Sequence, residues 1–249
     1  MKKAILILLA AVLAAPALSG KPGKAPGRLK GPVVVLTFDD ATQSQRSVVA
    51  PLLKKYGYGA TFYVCEFPGF EDKTKYMSWE QIGELNEMGF EIGNHGQRHG
   101  AMSQMSRSAI DEDIAYIERK CAEYGIPRPV TYAYPGYDTS ADGFAVLRER
   151  GYRLARVGGD EPYVQGKFDS LLMPSYGIVD ERVETPGFLE GMLDEARDGQ
   201  AVILCLHGVP DLAHDFVSTS PENFEKLLRE LKKRKCRVIS MRDLLGYAL

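Results

Sequence analysis

The sequence has 249 residues, 45% of them hydrophobic and 26% charged, with 31 basic and 33 acidic side chains and a formal net charge of −2. That length and apolar content suffice for one large domain with a full core. A faintly acidic chain without a basic stripe carries no footprint for nucleic acid and sets that class of partner aside.

Residues 1–19 read as a secretory signal peptide. Lys2 and Lys3 precede an apolar run from Ala4 to Ala15, and Ala17-Leu18-Ser19 puts small residues where a cleavage site before Gly20 needs them. The run is short and broken at Pro16, so no stable membrane span is expected after cleavage, with an uncleaved N-terminal anchor as the alternative. A secreted, periplasmic or cell-envelope protein follows. Residues 20–32 carry Lys21, Lys24, Arg28 and Lys30 among glycines and prolines and read as a flexible basic linker. The folded domain is then residues 33–249.

From Val33 to Phe38 an unbroken apolar run predicts a strand covered on both faces. Helical spacing follows over Gln45–Tyr56, then a strand over Gly59–Cys65. Ser78 and Gln81 have capping-box spacing and open a helix through Ile82, Leu85 and Met88 that stops at Gly89. A short strand from Phe90 to Gly93 leads into Asn94 and His95. A helix over Ser106–Tyr124 ends at Gly125 and Pro127, followed by a strand over Val130–Tyr134, a helix over Ala141–Arg150 and a strand over Tyr152–Val157. Residues 158–185 read as irregular, with a strand near Leu171–Met173. A helix over Gly187–Arg197, a strand from Ala201 into His207, a helix over Pro221–Arg234, a strand over Arg237–Ser240 and a terminal helical turn complete the chain.

This alternation predicts an α/β fold with right-handed crossovers: a distorted or incomplete (β/α) barrel of about seven parallel strands in a single domain. Functional groups in such folds gather at the C-terminal ends of the strands. Cys65, Cys121, Cys205 and Cys236 would be allowed disulfides by export, yet Cys65 and Cys205 lie in apolar strand-like runs as buried thiols do. Without a Cys-x-x-Cys pair, cysteine-bound zinc is not expected.

Asp39 and Asp40 close the first strand, and adjacent carboxylates repel unless a cation, hydrogen bonds or water receive them. His95 and His99 follow the Phe90 strand, Tyr134-Pro135-Gly136-Tyr137 closes another, and His207 closes the Ala201 strand. Three of the four histidines thus fall at strand ends. A lone histidine is more often structural, but these three would converge in a barrel. His95 and His99 are four apart, so a helical turn would face both imidazoles to one side. Two imidazoles and one carboxylate make a three-ligand site for a divalent ion with room for water.

Thr37-Phe38-Asp39-Asp40, His95-Gly96-Gln97-Arg98-His99 and Leu204-Cys205-Leu206-His207, in this order, resemble three motifs of the polysaccharide deacetylases, the NodB-homology group also called carbohydrate esterase family four. Tyr132 to Tyr137 stands where the third family motif belongs, in variant form. The resemblance spans roughly residues 32–245. It implies metal-dependent removal of acetyl groups from an acetylated polysaccharide, with a GlcNAc-containing polymer (peptidoglycan, chitin or an exopolysaccharide) as substrate. Position by position, it implies that Asp40, His95 and His99 hold the metal, zinc first and cobalt or nickel as alternatives. It also implies that Asp39 is the general base, His207 the general acid, and that Gly136 offers its N–H to the oxyanion with Tyr137 against substrate. O-deacetylation of acetylated xylan and a non-catalytic sugar-binding domain are the competing readings.

Two departures mark this chain. Ala133 stands where many members carry an arginine that orients the base, and Arg156 at the next strand end is the candidate to replace it, with a surface cation or an ordinary ion pair as the equal alternative. The fourth motif's acid has no clear counterpart; Asp160 and Asp169 are candidates that read more readily as loop residues. Asp211 and His214, on the loop after His207, are in position to touch substrate, with solvated loop residues as the default reading. Tyr132, Tyr134, Tyr163, Tyr176 and Trp79 read as core or rim, and Lys232–Lys235 as a solvated helix end favoured by the dipole.

Overall fold

The computed structural model describes residues 27–248, so the expected signal peptide and the first part of the linker, through residue 26, lie outside the described residues. Strand β1 (Val33–Phe38) is buried at every position, and its one polar side chain, Thr37, donates its hydroxyl to Leu204 O at 2.7 Å. A π-helical turn at Gln45–Val49 leads into helix α1 (Ala50–Tyr56), then β2 (Thr61–Val64), α2 (Trp79–Glu87), β3 (Glu91–Asn94), α3 (Arg107–Glu123), β4 (Thr131–Ala133), α4 (Ala141–Glu149) and β5 (Leu154–Arg156). The capping box at Ser78 and Gln81 forms as the spacing predicts, and Ser106, Ser140 and Ser220 cap later helices through their hydroxyls.

Beyond β5 come β6 (Tyr163–Val164), β7 (Tyr176–Gly177), α5 (Asp180–Glu184), α6 (Phe188–Asp194), β8 (Gln200–Leu206), α7 (Pro221–Lys233), β9 (Arg237–Ile239) and α8 (Leu245–Ala248). The strands form one sheet in the order β5-β4-β3-β2-β1-β8-β6, with β7 also on β8 and β9 also on β1. All pairings are parallel except that of β6 with β8. The centre is β1, in register with β8 from Val33–Ala201 to Phe38–Leu206. The result is a curled (β/α) barrel in a single domain, seven strand positions across.

Four local expectations are corrected. Leu171–Met173 is not a strand: Met173 makes a single bridge to Arg156, and Pro174, which has no N–H to donate, prevents the ladder from continuing. The strand forms instead at β7, so this segment spans the gap between β5 and β8. The irregular stretch also contains α5, and the helix expected over Gly187–Arg197 is shorter. Residues 27–32 are not a free tether. Gly27 N donates to Gly246 O at 2.8 Å, Gly199 N to Leu29 O at 2.9 Å, and Leu29 is fully buried.

Alternation along β1 sorts its side chains. Val34, Leu36 and Phe38 pack with the helices α1, α2 and α7, while Val33 and Val35 pack inside the curl against Met173, Ile203 and Met241. Each fully buried side chain of this kind is worth about 1.5–3 kcal/mol relative to exposure. The same alternation sends Asp39, one residue past the strand, to the inner face. No helix among the described residues is long and apolar enough to cross a membrane.

Candidate active site

At the end of β1, Asp39 N donates to Leu206 O at 2.9 Å, extending the ladder one residue beyond the strand. The chain then turns sharply, with Asp40 at φ 76° and Ala41 at φ 52°. Such left-handed angles cost about 1–2 kcal/mol per non-glycine residue and persist only where the surroundings enforce them. Here the buried Gln45 does so, donating its side-chain amide to Asp39 O and, at 3.4 Å, to His207 O. Both carboxylates end up 3% exposed on one pocket.

His95 and His99 do not lie on a helical turn, as their spacing suggests, but on a loop. Asn94, fully buried, donates to Ile114 O at 2.9 Å and accepts from Gly96 N at 2.8 Å. Gly96 sits at φ 71°, and a Cβ there would lie 2.3 Å from Asp113 Oδ2. That carboxylate accepts Gln97 N at 2.9 Å and Arg98 N at 3.1 Å, closing the loop and swinging His99, at φ 53°, back toward His95. The Nδ1–H of His95 donates to Ala133 O at 2.8 Å, which leaves Nε2 free to face the aspartates.

Asp40 Oδ1 stands 3.5 Å from His95 Nε2 and 3.7 Å from His99 Nε2. One ligand atom from each of the three lies within 4.8 Å of the others. These separations exceed hydrogen bonds and match the spacing of two donors about 2.0–2.2 Å from one ion. Burial, then the neighbouring His95, lowers the His99 pKa to about 4, so at neutral pH it offers a lone pair. The donor set fits a divalent ion such as zinc.

Arg156 is not a surface cation. It is fully buried, donates to Asp39 Oδ2, and lies 5.6 Å from the ring centroids of both Tyr63 and Tyr137. Burial alone would raise the Asp39 pKa, but the Arg156 guanidinium holds it below the usual carboxylate range. The other oxygen, Oδ1, is buried without a partner. Asp40 is likewise held low: burial opposes ionisation, and His95, His207 and His99 outweigh it.

His207, at the end of β8, places Nε2 3.8 Å from Asp40 Oδ2, while its Nδ1 is buried and unpartnered. Neither acid considered for the fourth motif reaches it. Asp160 pairs with Arg182 at 2.5 Å and Asp169 with Arg148 at 2.6 Å, both on the surface.

Asp211 and His214 are not solvated loop residues. The buried Asp211 carboxylate accepts Gly208 N at 3.3 Å, Ala213 N at 2.9 Å and His214 N at 2.8 Å, folding the loop after β8 over the pocket. His214 Nδ1 comes within 3.9 Å of Asp40 Oδ2, its ring 4.8 Å from that of Phe67. The Asp-x-x-His spacing signalled a turn but not its destination.

The pocket has a volume of 410 Å³. Gly136 (φ 56°) and Tyr137 (φ 60°) form one wall, with Tyr134 beside them. Trp79, Tyr132, Tyr163 and Tyr176 are buried in the body. Phe216 (77% exposed) and Tyr137 (41%) stand on the rim, and Leu212 lies on the same loop as Phe216. All four cysteines are free and buried. Cys205 lines the pocket floor with Sγ 3.5 Å from Asp39 Oδ2, and burial pushes its thiol up to about 12.

A family model described as "Polysaccharide deacetylase" matches residues 27–155. No curated protein sequence matches the chain. Several solved structures share the fold. The Xyl-CE4 domain of a multidomain xylanase from the hindgut metagenome of Trinervitermes trinervoides is 19% identical over 86% of this chain and 90% of that one, with a TM-score of 0.58. A peptidoglycan N-acetylglucosamine deacetylase is 14% identical over 89% and 92%, at 0.64. A CE4 family pseudoenzyme from Bacillus anthracis is 16% identical over 89% and 70%, at 0.61.

Proposed function

The chain belongs to the polysaccharide deacetylase family, and on that premise we propose that it is a metal-dependent hydrolase removing N-acetyl groups from a GlcNAc-containing polysaccharide outside the cytoplasm. Asp40, His95 and His99 would hold the divalent ion, zinc first, which when bound supplies Lewis-acid polarisation of the acetyl carbonyl and a more acidic water. Asp39 takes the proton of the attacking water on Oδ1, the oxygen left without a partner, while Arg156 keeps Oδ2 engaged and the group ionised. The Gly136 N–H receives developing negative charge on the acetyl oxygen. His207 protonates the departing nitrogen, a poor leaving group until it gains that proton. Tyr137 and Phe216 border the opening through which a sugar chain must enter.

The observation that carries the reading is the division of labour on Asp39: one oxygen is held by a buried arginine and the other is buried and free, in a residue that shares its pocket with a three-ligand group. The signal-like residues 1–19 agree with a polymer substrate outside the cytoplasm. The non-catalytic alternative draws on Ala133 in the third motif, but Arg156 supplies from β5 the cation that position lacks.

Acetate release by the purified protein from peptidoglycan, chitin oligomers and acetylxylan, with added Zn²⁺ or Co²⁺ and with chelator, tests the proposal. Chelator-sensitive release from a GlcNAc polymer, lost in Asp39→Asn, is expected. Release from acetylxylan alone would move the assignment to an esterase, and no release from metal-loaded protein would sink it.

A further inference from the structure

The deacetylase reading gives the thiol at the pocket floor nothing to do. Cys205 Sγ, a carboxylate oxygen of Asp39 and a ring nitrogen of His207 lie within 4.8 Å of one another, apart from the Asp40, His95 and His99 group. Two independent features point the same way. Asp39, 3% exposed and lining the pocket, has Oδ1 buried without a partner, and His207 Nδ1 is buried without one as well. Thiolate, imidazole and carboxylate together suit a soft or borderline cation rather than a hard one. Cys65 does not belong to this set, being fully buried and absent from the pocket lining.

We propose that the pocket binds a second, thiophilic divalent ion on Cys205, Asp39 and His207, with Cd²⁺ as the probe and excess Zn²⁺ as the borderline case. Binding breaks the S–H bond of Cys205 and forms a sulfur–metal bond; the proton leaves to solvent and nothing is oxidised or reduced. Arg156, already on Asp39 Oδ2, repels a cation there. The site therefore selects ions that gain enough from thiolate bonding to offset that repulsion, and it fills after the three-ligand group. Its consequence rests on the proposed function: the ion occupies the groups assigned to both proton transfers, so it inhibits.

Equilibrium dialysis of the purified protein against Cd²⁺, with ultraviolet detection of the cadmium–thiolate band, tests the site directly. About two ions per chain are expected in the parent protein, about one in Cys205→Ser, and about one in His99→Ala, with the thiolate band present in the parent and His99→Ala but lost in Cys205→Ser. Cys205→Ala replaces the serine variant should that one not fold. Equal stoichiometry in the parent and both Cys205 variants, or a band that survives them, would overturn the proposal. Protein that binds the Cys205-dependent ion yet releases no acetate from any polymer would retain this site and refute the deacetylase reading instead.

Discussion

Removing the guanidinium of Arg156 tests the electrostatic core of the site. In Arg156→Ala, Asp39, 3% exposed in the parent, loses the strongest of the cations that hold its pKa down, retains the weaker pull of His95 and His207, and keeps the Asp40 charge as its neighbour. Breaking a buried pair by deleting one partner costs about 3–5 kcal/mol. At about 2–4 °C per kcal/mol for a domain of this size, the melting temperature should fall by roughly 6–20 °C at neutral pH. The sign of the pH dependence follows from Asp39. In the parent its pKa is depressed, so its contribution to stability is present above the ordinary aspartate value and lost as pH falls. In the variant, burial and Asp40 both favour the protonated acid, so acidification relieves the uncompensated charge. The gap between parent and variant should therefore narrow toward acid pH. Calorimetric melts of both proteins with chelator present, from neutral pH downward, measure it; the chelator matters because a bound cation would itself compensate Asp39. A deficit below about 1 kcal/mol at neutral pH, or a gap that does not shrink on acidification, would refute the reasoning.

Gly96→Ala forces a Cβ to within 2.3 Å of Asp113 Oδ2 at a positive φ, so it should cost roughly 2–5 kcal/mol of stability and weaken Zn²⁺ binding by calorimetry. Glu91 is fully enclosed, accepts hydroxyls from Thr61 at 2.6 Å and Thr131 at 2.7 Å, and has its pKa raised, chiefly by burial. Its folded state holds a proton more tightly than the unfolded one, so the stability of the parent relative to Glu91→Gln should fall as pH rises above the ordinary glutamate value; denaturant titrations across that window check it. Phe216→Ala removes a ring that is 77% exposed, so stability should change by no more than about 0.5 kcal/mol. It should raise KM for polymer more than for a short acetylated sugar, with kcat retained, in parallel acetate-release assays.

What can be read locally was legible in the sequence. The apolar run of β1, ending in Asp39 and Asp40, needs no partner to declare a doubly covered strand, and Ser78 with Gln81 declares the start of α2 within four residues. Strand–helix alternation predicted the curled barrel, and strand ends marked where chemistry gathers. The spacing of His95 and His99 predicted that their rings converge, but through a helical turn that does not form. Their convergence comes from a loop that Asp113, on α3, closes by hydrogen bonds to the backbone, and no periodicity encodes a contact between elements.

The remaining features depend on curvature and register. Arg156 reaches Asp39 across 117 residues because β5 lies opposite β1 in the curl, whereas Asp160 and Asp169, equally plausible by position, face outward to Arg182 and Arg148. His214 and Phe216 return to the pocket only because Asp211 ties the loop after β8 back on itself. Cys205 faces Asp39 because the alternation of β8, set in register against β1, turns that side chain inward. The sequence by itself determined the elements, their order and the chemical types at the strand ends, since those follow from propensity and period over a few residues. Which of those groups meet, at what distance and in what charge state, was decided only by closing the sheet, because burial and Coulomb energy depend on separations in space that the chain order does not contain.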